Sequence, residues 1–241
     1  PGSIRQAAGD PQSAEGLLLA IAIGSGGRDD RLAFVRAQLG AGVAGAVVDL
    51  QPVADGLPLI QRLPAVLLLL GSLRQLDPAE RNRLIGVING LITRGGMPTV
   101  FDYALRKSVM TFLRDGLQHR SDRWPLSIRV VREDLRLVLG IVANSGAEAD
   151  SRRMKLAFDA GWAQLQLPSV LPLPTAISWV GAMDKALARL DRLANRDKQR
   201  VVRALTAAIA HDGVINVAEA ELLRLLCAQL HCPLPPLLAD L

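Results

Sequence analysis

The helical spacing of apolar residues is the feature that most limits how this 241-residue chain can fold. Apolar residues recur at intervals of three and four positions almost throughout, and the alternation that is typical of β-strands is nearly absent. Hydrophobic residues make up 50% of the chain but aromatic residues only 3%, so the core has to be built from Leu, Ala, Val and Ile. The sequence therefore predicts an all-α protein.

Individual helices follow from this periodicity and from the residues that start and stop helices. They are predicted at residues 14–23, 29–39, 57–73, 78–93, 100–113, 132–143, 148–165, 176–193, 196–210 and 217–230. Segments 40–56 and 166–175 carry a weaker pattern, and the second is rich in Pro and is interpreted as a connection. The longest apolar run, LPAVLLLLGSL at residues 63–73, is shorter than the about 20 residues that cross a bilayer, so no transmembrane helix is predicted.

An internal repeat is visible in the sequence. A shift of 117 residues aligns residues 76–113 with residues 193–230 without a gap, and Gly96 then coincides with Gly213. A second similarity, between GLLLAIAIGSGG and LRLVLGIVANSG, extends the match upstream. Self-similarity of this kind predicts the duplication of one helical unit.

The predicted domains follow from the repeat. The first helical unit is predicted at residues 4–118, a connection at 119–130, and the second unit at 131–241, where it ends in a Pro-rich tail. Residues 1–3, PGS, resemble the remnant of a cleaved purification tag, so the chain is interpreted as a piece of a longer protein.

The stretch HDGVINVAE resembles the second half of a calcium-binding EF-hand loop. Asp212, Gly213 and Glu219 occupy the positions of a ligand, the obligatory glycine and the closing glutamate. The loop also needs oxygen ligands at its first and third positions, where this chain has Ala208 and Ala210. Because half of the ligand cage is missing, calcium binding of the EF-hand kind is not favoured.

Helix capping accounts for the same residues. Gly213 is expected to end one helix in the left-handed conformation, and Asn216 to cap the next helix with Glu219 at its third position. The aligned residues of the first unit keep this chemistry at the same spacing: Gly96, Thr99 and Asp102. A structural hinge present in both units is therefore the preferred interpretation.

The pattern Asp-Gly-x-Ile/Val-x-x-x-Glu between two amphipathic helices, here Asp212 to Glu219, resembles the hallmark of TerB-like helical domains. The ending VAEAELLRLLCAQLHCPLPPLL resembles the C-terminal cytoplasmic region of bacterial membrane zinc metallopeptidases of the HtpX and CAAX-prenyl-protease type, and LDPAERNRLIGVINGLITRGGMPTVFDYALRK resembles their earlier, degenerate copy. The resemblance, over residues 14–238, implies a non-catalytic accessory, regulatory or protein-interaction domain. It also implies a location on the cytoplasmic side of the bacterial inner membrane.

Catalysis in that family depends on His-Glu-x-x-His, which holds zinc and supplies a general base. The three histidines of this chain, His119, His211 and His231, are too far apart to form the motif. No catalytic residue and no cofactor is therefore predicted here, and the implied zinc belongs to the parent protease. The implied partners are the rest of that protease, protein substrates or a second subunit. This domain is expected to be attached to the membrane only through the parent chain.

Two groups of residues are weak candidates for metal binding. Cys227 and His231 are one helical turn apart and Cys232 follows at once, although a buried cysteine, a surface histidine and a helix-end cysteine explain the same pattern. The association of TerB relatives with metal stress keeps Asp212, Glu219 and Glu221 as candidate ion ligands. A free-standing TerB-like, ion-binding stress-response protein is the alternative function.

Charge and aromatic content argue against nucleic-acid binding. The net charge is +5, but the basic residues are interleaved with Asp and Glu, and few aromatic side chains are present for base stacking. Trp124, Trp162 and Trp179 are expected to anchor helices to one another. An exposed Trp among them would mark a surface for a partner.

Overall fold

A computed structural model of the protein describes residues 2–24, 26–94, 96, 98–114, 124–147, 150–170 and 179–235. The helices in these residues are α1 (Gly2–Ala7), α2 (Pro11–Ile23), α3 (Arg28–Asp55), α4 (Leu59–Leu73), α5 (Pro78–Arg94), α6 (Val100–Arg114), α7 (Arg132–Gly146), α8 (Ser151–Gln164), α9 (Trp179–Leu190), α10 (Asn195–Ile209) and α11 (Val217–Gln229). A short 3₁₀ turn, Ala210–Asp212, follows α10. The described residues contain no strand beyond an isolated bridge between Leu126 and Leu193, so the all-α prediction is confirmed.

The chain divides into two compact units, Pro1–His119 and Arg120–Leu241. The division lies inside the segment 119–130 that the sequence predicts as a connection. Helices α1 to α6 belong to the first unit and α7 to α11 to the second.

The two units share a pattern of helix packing. In the first unit α2 packs on α3, α4 and α5, while α5 also packs on α3 and α6. In the second unit α7 packs on α8, α9 and α10, while α10 also packs on α8 and α11. The starts of α5 and α10, and those of α6 and α11, are separated by the 117 residues of the sequence repeat. A duplication would give this pattern, and the duplication itself stays a prediction.

Each unit has a core of aliphatic side chains. In the first unit all residues from Leu17 to Ile23 of α2 are buried, and α2 lies so close to α3 that a Cβ added to Gly16 would be 3.1 Å from the Cβ of Ala46. In the second unit all residues from Glu219 to Cys227 of α11 are buried. These two stretches are buried on all sides, as are the six consecutive residues from Val138 to Ala143 of α7.

Helix α3 differs most from the sequence-based prediction. Its backbone is kinked at Gly40, which has φ 89° and ψ 172°, and the helix continues through segment 40–56 as far as Asp55. By length and composition it is the one described helix that could cross a membrane, a test that core helices of soluble proteins also meet. Only 17% of its most apolar window is buried.

The remaining differences concern helix ends. Helix α1 was not predicted and includes two residues of the predicted tag remnant; the Ser72 hydroxyl of α4 donates to the Ala8 carbonyl just beyond it. Helix α8 begins at Ser151, where the Asp150 carboxylate accepts hydrogen bonds from the N–H groups of its first turn. Residues 148 and 149, where this helix was predicted to start, lie outside the described part of the chain.

Candidate functional site

The hinge between α10 and α11 is built from local backbone preferences. Gly213 has φ 78°, in the left-handed region that glycine tolerates, and ends the 3₁₀ turn. Asn216 precedes α11, and its side-chain oxygen accepts a hydrogen bond from the Glu219 N–H at 2.9 Å. The Glu219 carboxylate accepts one from the Asn216 N–H at 3.0 Å. These reciprocal bonds form a capping box.

The same cap joins α11 to α7. The side-chain amide of Asn216 donates a hydrogen bond to the Ser145 carbonyl, at 3.0 Å, in the last turn of α7. Glu219 is only 3% exposed, and its carboxylate lies against the final residue of that helix. A Cβ added to Gly146 would come within 2.8 Å of the Glu219 carboxyl carbon. We refer to Ser145, Gly146, Asn216 and Glu219 as the α7–α11 latch.

Burial raises the pKa of the Glu219 carboxyl above its ordinary range, and the negative charge of Asp212 adds to this effect. The hydrogen bond from the Asn216 N–H and the nearby His211 act in the opposite direction. The latch therefore holds a carboxylate that has lost most of its contact with water.

The hinge between α5 and α6 carries the same kind of cap. Gly96 has φ 87°. The Thr99 N–H donates to the Asp102 carboxylate at 2.9 Å, and the Asp102 N–H donates to the Thr99 hydroxyl at 3.1 Å. Because Thr99 is exposed, this box is open to solvent, whereas the box of the second unit contains the buried side chain of Glu219.

A further capping box, at the start of α5, was not predicted from the sequence. The Asp77 N–H donates to the Glu80 carboxylate at 3.0 Å, and the Glu80 N–H donates to the Asp77 carboxylate at 2.8 Å, at the start of α5. The stretch Asp-Pro-Ala-Glu carries the signal, since Pro is favoured in the first turn of a helix and Glu at the third position.

The candidate ion ligands of the second hinge bind backbone groups instead. The Asp212 carboxylate accepts a hydrogen bond from the Val214 N–H at 3.0 Å, closing a local turn. The Glu219 carboxylate is held by the latch. Within the described ranges, no three His, Cys, Asp or Glu side chains are grouped as a metal site would require. Cys227, His231 and Cys232 therefore do not form such a group.

The end of α11 brings its two cysteines together. The Cys232 N–H donates to the Cys227 carbonyl at 2.9 Å, and the His231 N–H donates to the Ala228 carbonyl at 3.2 Å. His231 itself is left-handed, with φ 55°. These features define a Schellman motif, in which the residues corresponding to Cys227 and Cys232 frequently make a side-chain contact. Burial, and then the proximity of Cys232, raise the pKa of the Cys227 thiol to about 12.

An ion pair between the buried Lys198 and Asp191, next to the cysteines, was also not predicted from the sequence. Lys198 is only 3% exposed, and its Nζ lies 2.5 Å from Oδ1 of Asp191. The His231 Nε2 lies 3.7 Å from the same oxygen. The sequence does hold a signal, because Lys198 lies on the apolar face of α10 that Val201 and Leu205 define.

A small cavity in the first unit holds a second acid. It has a volume of about 170 Å³ and is lined by Glu15, Gln38, Leu39, Val43, Leu76, Glu80 and Arg83. Burial raises the pKa of Glu15, Glu80 adds to this effect, and Arg83 opposes it. The signal for this site in the sequence is that Glu15 is the one acidic residue of α2.

The three tryptophans have different environments. Trp162 is 5% exposed, stacks on Phe158 with ring centroids 5.4 Å apart, and donates from Nε1 to the Pro168 carbonyl at 2.9 Å. Trp179 is partly buried. Trp124 is 88% exposed, as expected of a Trp at a partner surface and not of one that anchors helices to one another.

Comparison of the chain with protein-family models, with curated proteins and with solved structures finds no match. A proposal of function therefore rests on the residues of this chain.

Proposed function

We propose that this chain is a non-catalytic helical protein-interaction domain, and that it serves as the accessory domain of a membrane-bound zinc metallopeptidase of the HtpX type. The observation that carries the interaction role is the outer face of α3, where apolar residues lie in solvent. The accessory role is supported by the resemblance of the stretch VAEAELLRLLCAQLHCPLPPLL, residues 217–238, to the C-terminal region of those proteases.

The outer face of α3 consists of Ala41, Gly45 and Val48, which follow one another at helical spacing. Residues 37–48 carry no charged side chain. Val47 packs into the core of the first unit, whereas Val48 is 52% exposed and both Ala41 and Gly45 are exposed. Apolar surface of this kind, on a helix that is already held by its inner face, is typical of an interaction site.

The size of these side chains favours a helix as the occupant. A Cβ added to Gly45 would meet nothing within 4 Å, so the backbone of α3 is accessible at this position. Small residues allow two helix axes to approach closely and pack by dispersion along their length. We therefore take the partner to be an apolar helix face of the parent protease, and contact with a membrane is the rival outcome of the test below.

The accessory role is tested by reading the gene upstream of Ile4. We expect the same reading frame to encode transmembrane helices and a His-Glu-x-x-His motif before this residue. A reading frame that begins near Ile4 would overturn the accessory role, while leaving the outer face of α3 open to another partner.

The interaction surface is tested by photo-crosslinking in cells that express the parent protein. A photoreactive residue at Val48 is expected to crosslink to another segment of the parent chain, identified by mass spectrometry. The same residue at Asn82, which is exposed on α5, is the control and should give no such product. Crosslinks from position 48 to lipid alone, or none at all, would overturn the proposal of a protein partner.

A further inference from the structure

We propose that Cys232 is a site of reversible thiolation, at which a small acidic disulfide is captured and then displaced by Cys227. The two cysteines belong to the second unit, so this modification is independent of the outer face of α3 and of the proposed accessory role.

The backbone holds the two cysteines within reach of one disulfide bond. The Cys232 nitrogen and the Cys227 oxygen are 2.9 Å apart, and with standard bond lengths the two Cα atoms can be at most about 6.8 Å apart. Disulfides bridge Cα atoms that are about 4.4–6.8 Å apart. In Schellman motifs the side chains at these two positions are frequently in contact.

The two thiols differ in their access to solvent. Cys227 is 1% exposed, whereas Cys232 is partly exposed and lines a groove of about 650 Å³. Val202, Ala207 and Leu234 supply apolar surface in this groove. Pockets that hold small molecules have volumes of about 300–1,000 Å³, so a small disulfide can reach Cys232 here while Cys227 is shielded.

The charges around the groove favour an acidic reagent. Arg203 lines the groove and is the one charged residue among its described lining residues. Burial raises the pKa of the Cys232 thiol, the positive charge of Lys198 opposes this effect, and the negative charge of Asp191 adds to it. Asp191 is itself paired with Lys198, so the positive charge of Arg203 is left to attract a carboxylate on the incoming molecule.

The reaction proceeds by thiol–disulfide exchange in two steps. The thiolate sulfur of Cys232 attacks one sulfur of the small disulfide, whose S–S bond breaks and releases one thiolate. The thiolate sulfur of Cys227 then attacks the Cys232 sulfur of the mixed disulfide and releases the second thiolate. The two cysteines are oxidised to one disulfide, the small disulfide is reduced to two thiols, and the two cysteine protons go to those products.

The raised pKa values define how the reaction depends on pH. Only the thiolate attacks, and burial keeps both thiols protonated at neutral pH. The charged and titratable groups around Cys232 are Lys198, Asp191, Cys227 and the groove residue Arg203, and His231 precedes it in the chain. We therefore expect slow modification near pH 7 and faster modification as pH rises toward 9.

The first experiment treats the full chain with oxidised glutathione at about pH 8.5, with EDTA present, and follows the intact mass. Wild type should lose the mass of two hydrogens, and peptide mapping should place the disulfide between Cys227 and Cys232. Cys227→Ser should instead keep one glutathione on Cys232, and Cys227→Ala is a second variant that keeps the site apolar. Cys232→Ser should stay unmodified. Modification of Cys232→Ser at the wild-type rate, or oxidation of wild type only in urea, would overturn the proposal.

The second experiment tests the preference for an acidic reagent. Oxidised glutathione and the cationic disulfide cystamine are compared on Cys227→Ser, and we expect glutathione to react about 3- to 10-fold faster after correction for their intrinsic rates. Arg203→Gln should remove most of this preference. Arg196→Gln, which changes an exposed arginine of α10 outside the groove, should leave it unchanged. Equal corrected rates on the parent variant, or equal effects of the two substitutions, would overturn the assignment of an acidic ligand.

Discussion

Glu219 shows which properties of a single residue can be predicted from the sequence. Its position three residues after Asn216 is a local pattern, and the reciprocal hydrogen bonds of the capping box follow from that spacing. Its contact with Gly146 and the bond between Asn216 and Ser145 could not be predicted in this way. Ser145 lies 71 residues earlier in the chain, and nothing local specifies that α7 ends beside α11.

The α7–α11 latch predicts energetic coupling between Gly146 and Glu219. Glu219→Ala should destabilise the protein by about 1–2 kcal/mol through loss of the cap. Gly146→Ala should cost about 1–3 kcal/mol in the wild type, because its Cβ has to displace the buried carboxylate. In the Glu219→Ala background, Gly146→Ala should cost much less, since the carboxylate is gone. Urea unfolding of the two single variants and the double variant measures this coupling, and strictly additive effects would contradict the latch.

The raised pKa of Glu219 predicts the sign of a pH effect on stability. The folded state holds this proton more tightly than the unfolded state, so Glu219 contributes stability below the ordinary pKa near 4.5 and loses that contribution as pH rises through the raised value. Each unit of raised pKa corresponds to about 1.4 kcal/mol. Glu219→Gln keeps a side-chain oxygen that accepts the Asn216 N–H, but it does not titrate.

The stability of wild type relative to Glu219→Gln should therefore fall as the pH rises above about 4.5. Free energies of unfolding from urea titrations of both proteins at a series of pH values provide the measurement. A difference that stays constant, or that grows with pH, is the result that would rule out this role of burial.

At the scale of helices, the sequence predicts some helix starts to the residue and misses others that are capped. The predicted starts of α6 and α11 coincide with the observed ones, and each follows from a capping pair. Those of α2 and α8, at residues 14 and 148, miss the observed starts at Pro11 and Ser151, although Asp10 and Asp150 cap these helices. Segment 40–56 has a weaker helical pattern because its glycines have low helix propensity. The structure continues α3 through it, since the inner face of this segment packs into the core of the first unit.

The kink of α3 predicts opposite effects for one substitution at two glycines of the same helix. Gly40 has φ 89° and ψ 172°, a region that is open essentially to glycine alone, so Gly40→Ala should destabilise the protein by about 1–3 kcal/mol. Gly42 lies in the helix after the kink, so Gly42→Ala should stabilise by up to about 1 kcal/mol. At both positions an added Cβ would meet nothing within 4 Å, so steric contact does not contribute to the difference between the two substitutions. Urea unfolding tests this, and effects of the same sign would contradict the kink.

For the whole molecule, composition and periodicity were enough to predict the fold class. They could not specify which helices pack together, because most apolar faces in this chain present similar Leu, Ala and Val side chains. The five shared helix pairings of the two units, and the equal spacing of Gly96 and Gly213 from the helices that follow, are the structural features expected of the predicted duplication. What the repeat does not predict is the divergence of the caps, since Glu219 is buried whereas Thr99 is exposed.

The division of the chain predicts that each unit folds independently. Units of about 120 residues can bury roughly two thirds of their unfolded surface, and each unit here has a helical stretch that is buried on all sides. Residues 1–119 and 120–241, expressed separately, should each show helical circular dichroism and a cooperative thermal transition. The control is a cut after Gln75, between α4 and α5, which should leave residues 1–75 without a cooperative transition because α2 then loses its packing against α5. If residues 120–241 were to fold only after mixing with residues 1–119, the two units would have to be regarded as one folding domain.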